Sequence, residues 1–225
     1  GTATSAAAPT AFSMEVNQLA RAQSAGSAVL GSGAAVGTGS LKIQLGAWSK
    51  GDFTPDVTDG SATFAPGAAP EVSIDITAAD DTLAKVAAKI NAANAGVNAT
   101  VLRDAAGERL LVRSSATGEE SGFRIKAMDD DGNNADGAGL SRLAFDPENG
   151  SNGLSLTQSA RDTLATINGV EVKSKNTTFT DAIDGLTLTV AQVTTSPVEI
   201  GVKRDTAGGR ANITAFVESY NALNN

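Results

Sequence analysis

The stretch from Ala165 to Val190, ATINGVEVKSKNTTFTDAIDGLTLTV, carries the clearest structural pattern of the chain. Val170 and Val172 alternate with charged residues, which is the period of a half-buried strand. The Asn168-Gly169 dipeptide before them is typical of a tight turn with positive φ. A second alternating run, LTLTV, ends the stretch. The pattern therefore predicts two strands, the first entered through a tight turn.

The middle of this stretch predicts a short helical turn. Thr180 and Asp181 precede the apolar pair Ala182-Ile183, and Gly185 follows at a position where it can close the turn. None of these side chains is arranged for chemistry. We interpret the stretch as a compact folding module.

Outside this module, alternating apolar residues predict strands that begin near Phe12, Leu41, Val72, Phe123 and Val198. The apolar residues between positions 83 and 90 follow the i, i+3, i+4, i+7 spacing of a helix. The apolar residues between positions 213 and 223 also fit one helical face, with no sequence left to cover it. Nine or ten strands and two clear helices predict a mainly β fold with α+β character, built from antiparallel sheets.

Composition excludes several classes of function. The 225 residues include 17 basic and 25 acidic side chains, so the net charge of −8 argues against nucleic acid and anionic membranes as partners. The chain has no Cys and no His, which removes thiol nucleophiles, imidazole catalysis and Cys/His zinc sites. No sequence motif calls for a cofactor.

The acidic segment from position 129 to 136, DDDGNNAD, is the best candidate for a metal site. Oxygen ligands of this kind suit Ca²⁺. Counted from the first aspartate, the sixth residue is Asn134 rather than Gly and the twelfth is Leu140 rather than Glu, so no EF-hand loop results. A solvated loop is therefore favoured over a weak cation site. The candidate ligands are Asp129, Asp131, Asn133 and Asp136.

Catalysis by a Ser/Lys pair is the weakest hypothesis. The candidate adjacent pairs are Ser49-Lys50 and Ser174-Lys175. Neighbouring residues of a strand point to opposite faces, so neither pair is suited to act together. The sequence therefore predicts no enzyme.

The opening stretch resembles the repeat module of flagellar hook-associated proteins, in particular the flagellar filament cap family (hook-associated protein 2). Three further segments resemble the same family in the same order: Phe12–Gln23, Thr82–Val97 and Phe216–Asn221. Together these landmarks span most of the chain. The family-motif residues of the opening stretch are Ile167, Asn168, Gly169, Val170, Asn176 and Gly185.

The resemblance implies two nested β-rich domains. The outer domain takes residues 10–40 and 155–207, and an inserted α+β domain takes residues 41–154. Residues 1–9, rich in Ala, Ser and Thr, are expected to be a disordered lead-in. Residues 208–225 are expected to start a helix that belongs to a helical domain outside this fragment.

The resemblance also implies a structural role. A ring of such subunits sits at the filament tip and promotes flagellin folding and insertion, so the implied partners are further copies of the chain and flagellin. The implied location is outside the cell, reached by flagellar export without a cleaved signal peptide. A flagellin-like or hook–filament junction protein, and an adhesin-like module for host glycans, are the alternatives.

Overall fold

The protein is represented by a computed structural model that describes residues 1–49, 62–204 and 207–223. The strands within these ranges are Thr2–Ala3 (β1), Thr10–Gln18 (β2), Ser24–Ser27 (β3), Gly39–Trp48 (β4), Phe64–Pro66 (β5), Val72–Ile76 (β6), Val97–Asp104 (β7), Gly107–Ser114 (β8), Gly122–Asp129 (β9), Phe145–Asp146 (β10), Ser151–Asn152 (β11), Leu154–Gln158 (β12), Thr163–Ile167 (β13), Val170–Ser174 (β14), Thr178–Ile183 (β15), Leu186–Thr189 (β16) and Val198–Val202 (β17). The α-helices are Leu83–Ala92 (α1) and Ala207–Leu223 (α2).

The mainly β fold with antiparallel sheets is confirmed. The buried apolar side chains form two clusters. The larger cluster is built from residues between Ala25 and Leu156. The smaller cluster combines Phe12, Met14 and Val16 with buried residues between positions 165 and 188. Both ends of the described β region therefore meet in the smaller cluster, while the middle of the chain forms the larger one.

The larger cluster lies among two sheets and α1. One sheet has the order β11-β10-β9-β4-β5, with β6 also paired to β4, and the other has the order β12-β3-β8-β7. Helix α1 forms because Leu83, Val86, Ala87 and Ile90 share one face, and all four are buried. Trp48 packs against Phe64 in this core, with ring centroids 4.8 Å apart.

The smaller cluster lies between the sheet β14-β13-β2-β17 and the sheet β1-β16-β15. Strand β2 is at the centre of the first sheet, where Phe12, Met14 and Val16 alternate with less buried neighbours. This alternation is the one that the sequence predicts. Strand β2 pairs with β13 on one side and with β17 on the other, so strands from the amino-terminal and carboxy-terminal parts of the chain lie side by side.

Two local predictions near the smaller cluster are wrong. Residues 1–9 were expected to be disordered, but β1 pairs Thr2 with Thr187 and Ala3 with Leu186. The predicted helical turn after Thr180 is instead part of β15. A register shift between Thr180 and Ile183, with Asp181 at φ 55°, makes a bulge where the helical turn was expected.

The packing also shifts the expected boundaries between the units. Ala25, Val36 and Leu156 fall within the residues expected for the outer domain, but all three lie in the larger cluster. The reason is that β3 pairs with β8 on one side and with β12 on the other. The division into nested domains itself stays a prediction. The Pro, Gly and Asp residues between positions 49 and 70 predict an irregular segment, and most of it, from position 50 to 61 with Phe53, lies outside the described residues.

Candidate assembly surface

The Asn168-Gly169 motif forms the turn between β13 and β14. Ile167 pairs with Val170, so the two residues between them make a two-residue loop, with φ 47° at Asn168 and 83° at Gly169. The Asn168 side chain accepts a hydrogen bond from the Ser13 backbone N–H at 2.9 Å. Its own backbone N–H donates to the Ser13 carbonyl oxygen. The turn is therefore fastened to β2.

Asn176 stabilises the connection between β14 and β15. Its side-chain oxygen accepts a hydrogen bond from the Thr178 backbone N–H at 2.7 Å. Its backbone carbonyl accepts one from the hydroxyl of Thr163, which is fully buried. The same hydroxyl accepts a hydrogen bond from the Ala20 backbone N–H. The buried Thr163 hydroxyl thus joins three segments that lie near the smaller cluster.

Gly185 lies where the amino-terminal segment crosses the turn between β15 and β16. Its φ is 73°, and its carbonyl oxygen accepts a hydrogen bond from the Thr4 backbone N–H. A Cβ at this position would lie 2.7 Å from the Ala7 backbone nitrogen. The motif residues therefore build turns and hold strands together. Among them, Val170 offers an exposed apolar side chain.

The acidic loop uses its candidate ligands for internal hydrogen bonds. Asp129 accepts from the backbone N–H of Ser141, Asp131 from that of Asn133, and Asn133 from that of Ala135. Asp136 accepts from the Ala138 backbone N–H and the Ser141 hydroxyl, and these bonds hold the pKa of its carboxyl below its usual value. In the described part of the chain no group of three or more acidic side chains is placed to hold a metal ion.

The Ser174-Lys175 pair is engaged in structural contacts. The Ser174 hydroxyl donates to the Thr178 carbonyl oxygen at 2.6 Å. The Lys175 ammonium forms an ion pair with Glu120, whose hydrogen bond raises the pKa of the lysine above 10.5. Of the Ser49-Lys50 pair, Lys50 lies outside the described residues.

The contact between Lys175 and Glu120 belongs to a junction between the part of the chain around the larger cluster and the part around the smaller one. The Thr117 hydroxyl donates to the Lys175 carbonyl oxygen at 2.8 Å, and the Glu119 backbone N–H donates to the Asp162 carboxylate at 2.7 Å. The loop after β8 therefore contacts the segments that flank β13 and β14. The sequence pattern did not indicate this junction, because its residues are polar and lie in loops.

Helix α2 carries four large apolar side chains that are exposed. The relative exposure is 66% for Ile213, 71% for Phe216, 47% for Val217 and 61% for Tyr220. Their i, i+3, i+4, i+7 spacing places them on one face, as the sequence predicted. An apolar helix face left in water marks a contact site. No helix of the described chain is long and apolar enough to span a membrane.

Comparison with known proteins places these features in a family. The family model described as flagellar hook-associated protein 2 C-terminus matches residues 160–225, and the flagellin hook IN motif matches residues 56–116. The B-type flagellar hook-associated protein 2 of Pseudomonas aeruginosa is 33% identical over 161 residues, which are 67% of this chain and 33% of that protein. The FliD (HAP2) structure from the same species covers 99% of this chain and 92% of its own, at 27% identity and a TM-score of 0.76. The chain belongs to the flagellar hook-associated protein 2 family.

Other members of the hook-associated protein 2 family give the same match. The Escherichia coli K12 protein is 30% identical over 153 residues, 68% of this chain and 31% of that protein. The structure of the flagellar cap protein FliD D1-D2-D3 domains from Escherichia coli covers 99% of this chain and 56% of its own, at 26% identity and a TM-score of 0.77. The chain spans about a third of the length of these curated relatives.

The family models refine the resemblance found in the sequence. Residues 165–190 lie within the match to the hook-associated protein 2 C-terminus, and not within the match to the IN motif. The segment Thr82–Val97, which includes α1, lies within the IN-motif match. The stretch around Asn168 therefore belongs to the part that matches the hook-associated protein 2 C-terminus.

Proposed function

We propose that the full-length protein caps the flagellar filament. Copies of it assemble at the filament tip and promote the folding and insertion of flagellin. The observation that supports this most is the likeness to the flagellar cap protein of Escherichia coli, which extends over 99% of this chain at a TM-score of 0.77. The match to the hook-associated protein 2 C-terminus favours a cap over a flagellin.

The exposed face of α2 supports an assembly role. An isolated helix of this length is marginally stable in water, and most helices in proteins are stabilised by packing of an apolar face. In this proposal α2 begins a helical domain completed by residues outside this chain. Phe216 and Tyr220 then pack in a helical core.

The nested domain organisation is part of the proposal, with boundaries moved to fit the packing. The outer domain takes β1, β2 and β13–β17, which surround the smaller cluster. The inserted domain takes β3–β12 and α1, which surround the larger cluster. The contacts of Thr117 and Glu119 with the outer domain then join the two.

The proposed chemistry is protein–protein contact without a covalent step. The partners are further copies of the protein and flagellin. The location is the filament tip outside the cell, reached by flagellar export without a cleaved signal peptide. The polar character of the surface, with nine aromatic residues in 225, fits contacts that form and rearrange as subunits are added.

Gene deletion in the source bacterium tests this proposal. Loss of the full-length protein is expected to give absent or short filaments and flagellin in the culture medium, because subunits escape before they insert. The wild-type gene should restore filament length, measured by electron microscopy. Normal filaments in the deletion strain would contradict the proposal.

A matched pair of variants tests the role of α2. In the full-length protein, Phe216→Ser combined with Tyr220→Ser is expected to fail to restore filaments, since both side chains lie on the exposed face of α2. Val170→Ser is the control, because Val170 is comparably exposed, at 66%, at the start of strand β14. The amounts of exported variant are compared by immunoblot.

A further inference from the structure

Strand β17 leaves one side of its backbone open. It is the last strand of the sheet β14-β13-β2-β17, and its only sheet partner in the described chain is β2. A groove lined by Val202, Lys203, Arg204 and residues between Ala3 and Pro9 lies at the end of the strand. Glu199 and Gly201 in the strand are exposed, so the outer edge is accessible.

The direction of the free backbone groups follows from β2. In an antiparallel pair, alternate residues direct both backbone groups to the same neighbour. Ser13 exchanges hydrogen bonds with Asn168 on the β13 side, so the even-numbered residues of β2 face β17. Met14 is opposite Val198, and Phe12 is opposite Ile200. The backbone groups of Glu199 and Gly201 consequently point outward.

The sequence of this edge is complementary to itself. If a second copy of β17 pairs antiparallel and is centred on Gly201, Glu199 of each copy lies opposite Lys203 of the other. Two cross-strand ion pairs then flank a central pair of glycines. Opposite charges placed across two strands stabilise the pairing, and like charges destabilise it.

Other registers lack this match. A shift by two residues in one direction places Pro197 opposite Lys203, and Pro has no N–H to donate. The opposite shift places Lys203 opposite Gly201, so neither ion pair forms. Parallel pairing in register brings Glu199 of both copies together. The centred antiparallel register alone combines all the backbone bonds with opposite charges.

The faces of the strand fit the same arrangement. Ile200 and Val202 pack against the smaller cluster but are only partly buried. In the centred register Ile200 of each copy lies opposite Val202 of the other copy, so both side chains lose further exposed area. On the opposite face, no atom lies within 4 Å of the position that a Cβ of Gly201 would occupy, which leaves room for a second chain.

We propose that two copies of this protein associate edge to edge through β17, forming one continuous sheet of eight strands. The contact is isologous, with the same surface on both copies. It is distinct from the closed ring of the proposed cap and from the apolar face of α2. It goes beyond the proposed function, because it would hold with or without a role at the filament tip.

Cross-linking tests the predicted register. The chain has no Cys, so Gly201→Cys introduces a single thiol at the centre of the contact. Opposite residues of an antiparallel hydrogen-bonded pair have Cα atoms about 5.5 Å apart, within the range of a disulfide. Mild oxidation is expected to give a disulfide-linked dimer. Glu171→Cys, exposed on the opposite edge strand β14, is the control and should stay monomeric on the gel.

Charge reversal tests the pairing without a disulfide. Glu199→Lys and Lys203→Glu are each expected to weaken self-association by about tenfold or more, because each creates two like-charge pairs. The double variant that carries both changes should restore wild-type affinity, since it only exchanges the two charges. Sedimentation equilibrium over a concentration series measures all four proteins.

Two results would overturn the proposal. One is a Gly201→Cys protein that cross-links no faster than Glu171→Cys. The other is self-association that both charge reversals leave unchanged and that Phe216→Ser abolishes, which would assign the contact to α2. A normal flagellar phenotype bears only on the cap function, so the two proposals can fail independently.

Discussion

Gln23 and Phe123, which belongs to the larger cluster, are joined by two buried hydrogen bonds. The Gln23 amide nitrogen donates to the Phe123 carbonyl oxygen, and the Phe123 backbone N–H donates to the Gln23 side-chain oxygen, both at 2.9 Å. Gln23 is 1% exposed. Its side chain therefore pairs with one residue of β9 as a neighbouring strand would, and it ties the segment after β2 to that strand.

Gln23→Leu is expected to destabilise the protein. The substitution keeps the volume but leaves the buried N–H of Phe123 without its partner, at a cost of about 1–3 kcal/mol. Urea unfolding followed by circular dichroism measures the free energy. Gln192→Leu, at an exposed position, is the control and should change it by less than about 0.5 kcal/mol. Equal effects of the two substitutions would contradict the role of Gln23.

Glu108 should make stability depend on pH in the acid range. Its carboxylate accepts hydrogen bonds from Arg103 and from Ser32, which hold its pKa below 4.5 in the folded protein. Because the folded pKa is lower than the unfolded one, the carboxylate stabilises the fold above pH 4.5. This stabilisation is lost as the pH falls through the folded pKa.

Glu108→Gln tests this dependence, because it keeps the shape and removes the charge. The variant should be less stable than the wild type at neutral pH, and the difference should shrink as the pH falls below 4.5. Denaturant unfolding at several pH values gives the comparison. Glu171→Gln, an exposed substitution on β14, is the control. A difference that stays constant with pH would contradict the assignment.

Gly185→Ala should cost more than Gly169→Ala. Both residues have positive φ, 73° and 83°, so both substitutions carry a backbone cost of about 1–2 kcal/mol. Only at Gly185 does a Cβ meet the backbone, 2.7 Å from the Ala7 nitrogen. The added clash should also detach β1, so hydrogen exchange at Thr4 is expected to speed up in that variant alone. Similar exchange in both variants would count against this packing.

Truncation of a buried and of an exposed phenylalanine should have different effects on the stability of the sheets. Phe179 is 3% exposed in the smaller cluster, so Phe179→Ala is expected to cost about 3–5 kcal/mol. Phe216 is 71% exposed on α2, so Phe216→Ala should leave the unfolding of the sheets unchanged. Thermal unfolding at a β-sheet wavelength compares them. A large loss for Phe216→Ala would indicate that α2 packs on the sheets.

Long periodic elements were predictable from the sequence. The alternation of Phe12, Met14 and Val16 indicated β2, and the helical spacing from Leu83 to Ile90 indicated α1. The exposed face of α2 followed from the same spacing. These patterns report which side of an element is apolar, and they need no knowledge of the neighbouring elements.

Short strands and polar core contacts were not predictable in the same way. Strands β1, β10 and β11 have two residues each, too few for a period. They account for part of the difference between the nine or ten strands expected and the seventeen in the described ranges. The bulge at Asp181 depends on the pairing of β15 with β16, and Gln23 is polar, so a hydrophobic pattern indicates neither.

Immunogold electron microscopy tests the cap assignment most directly. Antibody raised against this chain is applied to intact cells of the source bacterium, with the gene-deletion strain as the control for specificity. If the protein caps the filament, label is confined to the far tip of each filament. Label along the filament shaft, at the hook junction or away from flagella would contradict it.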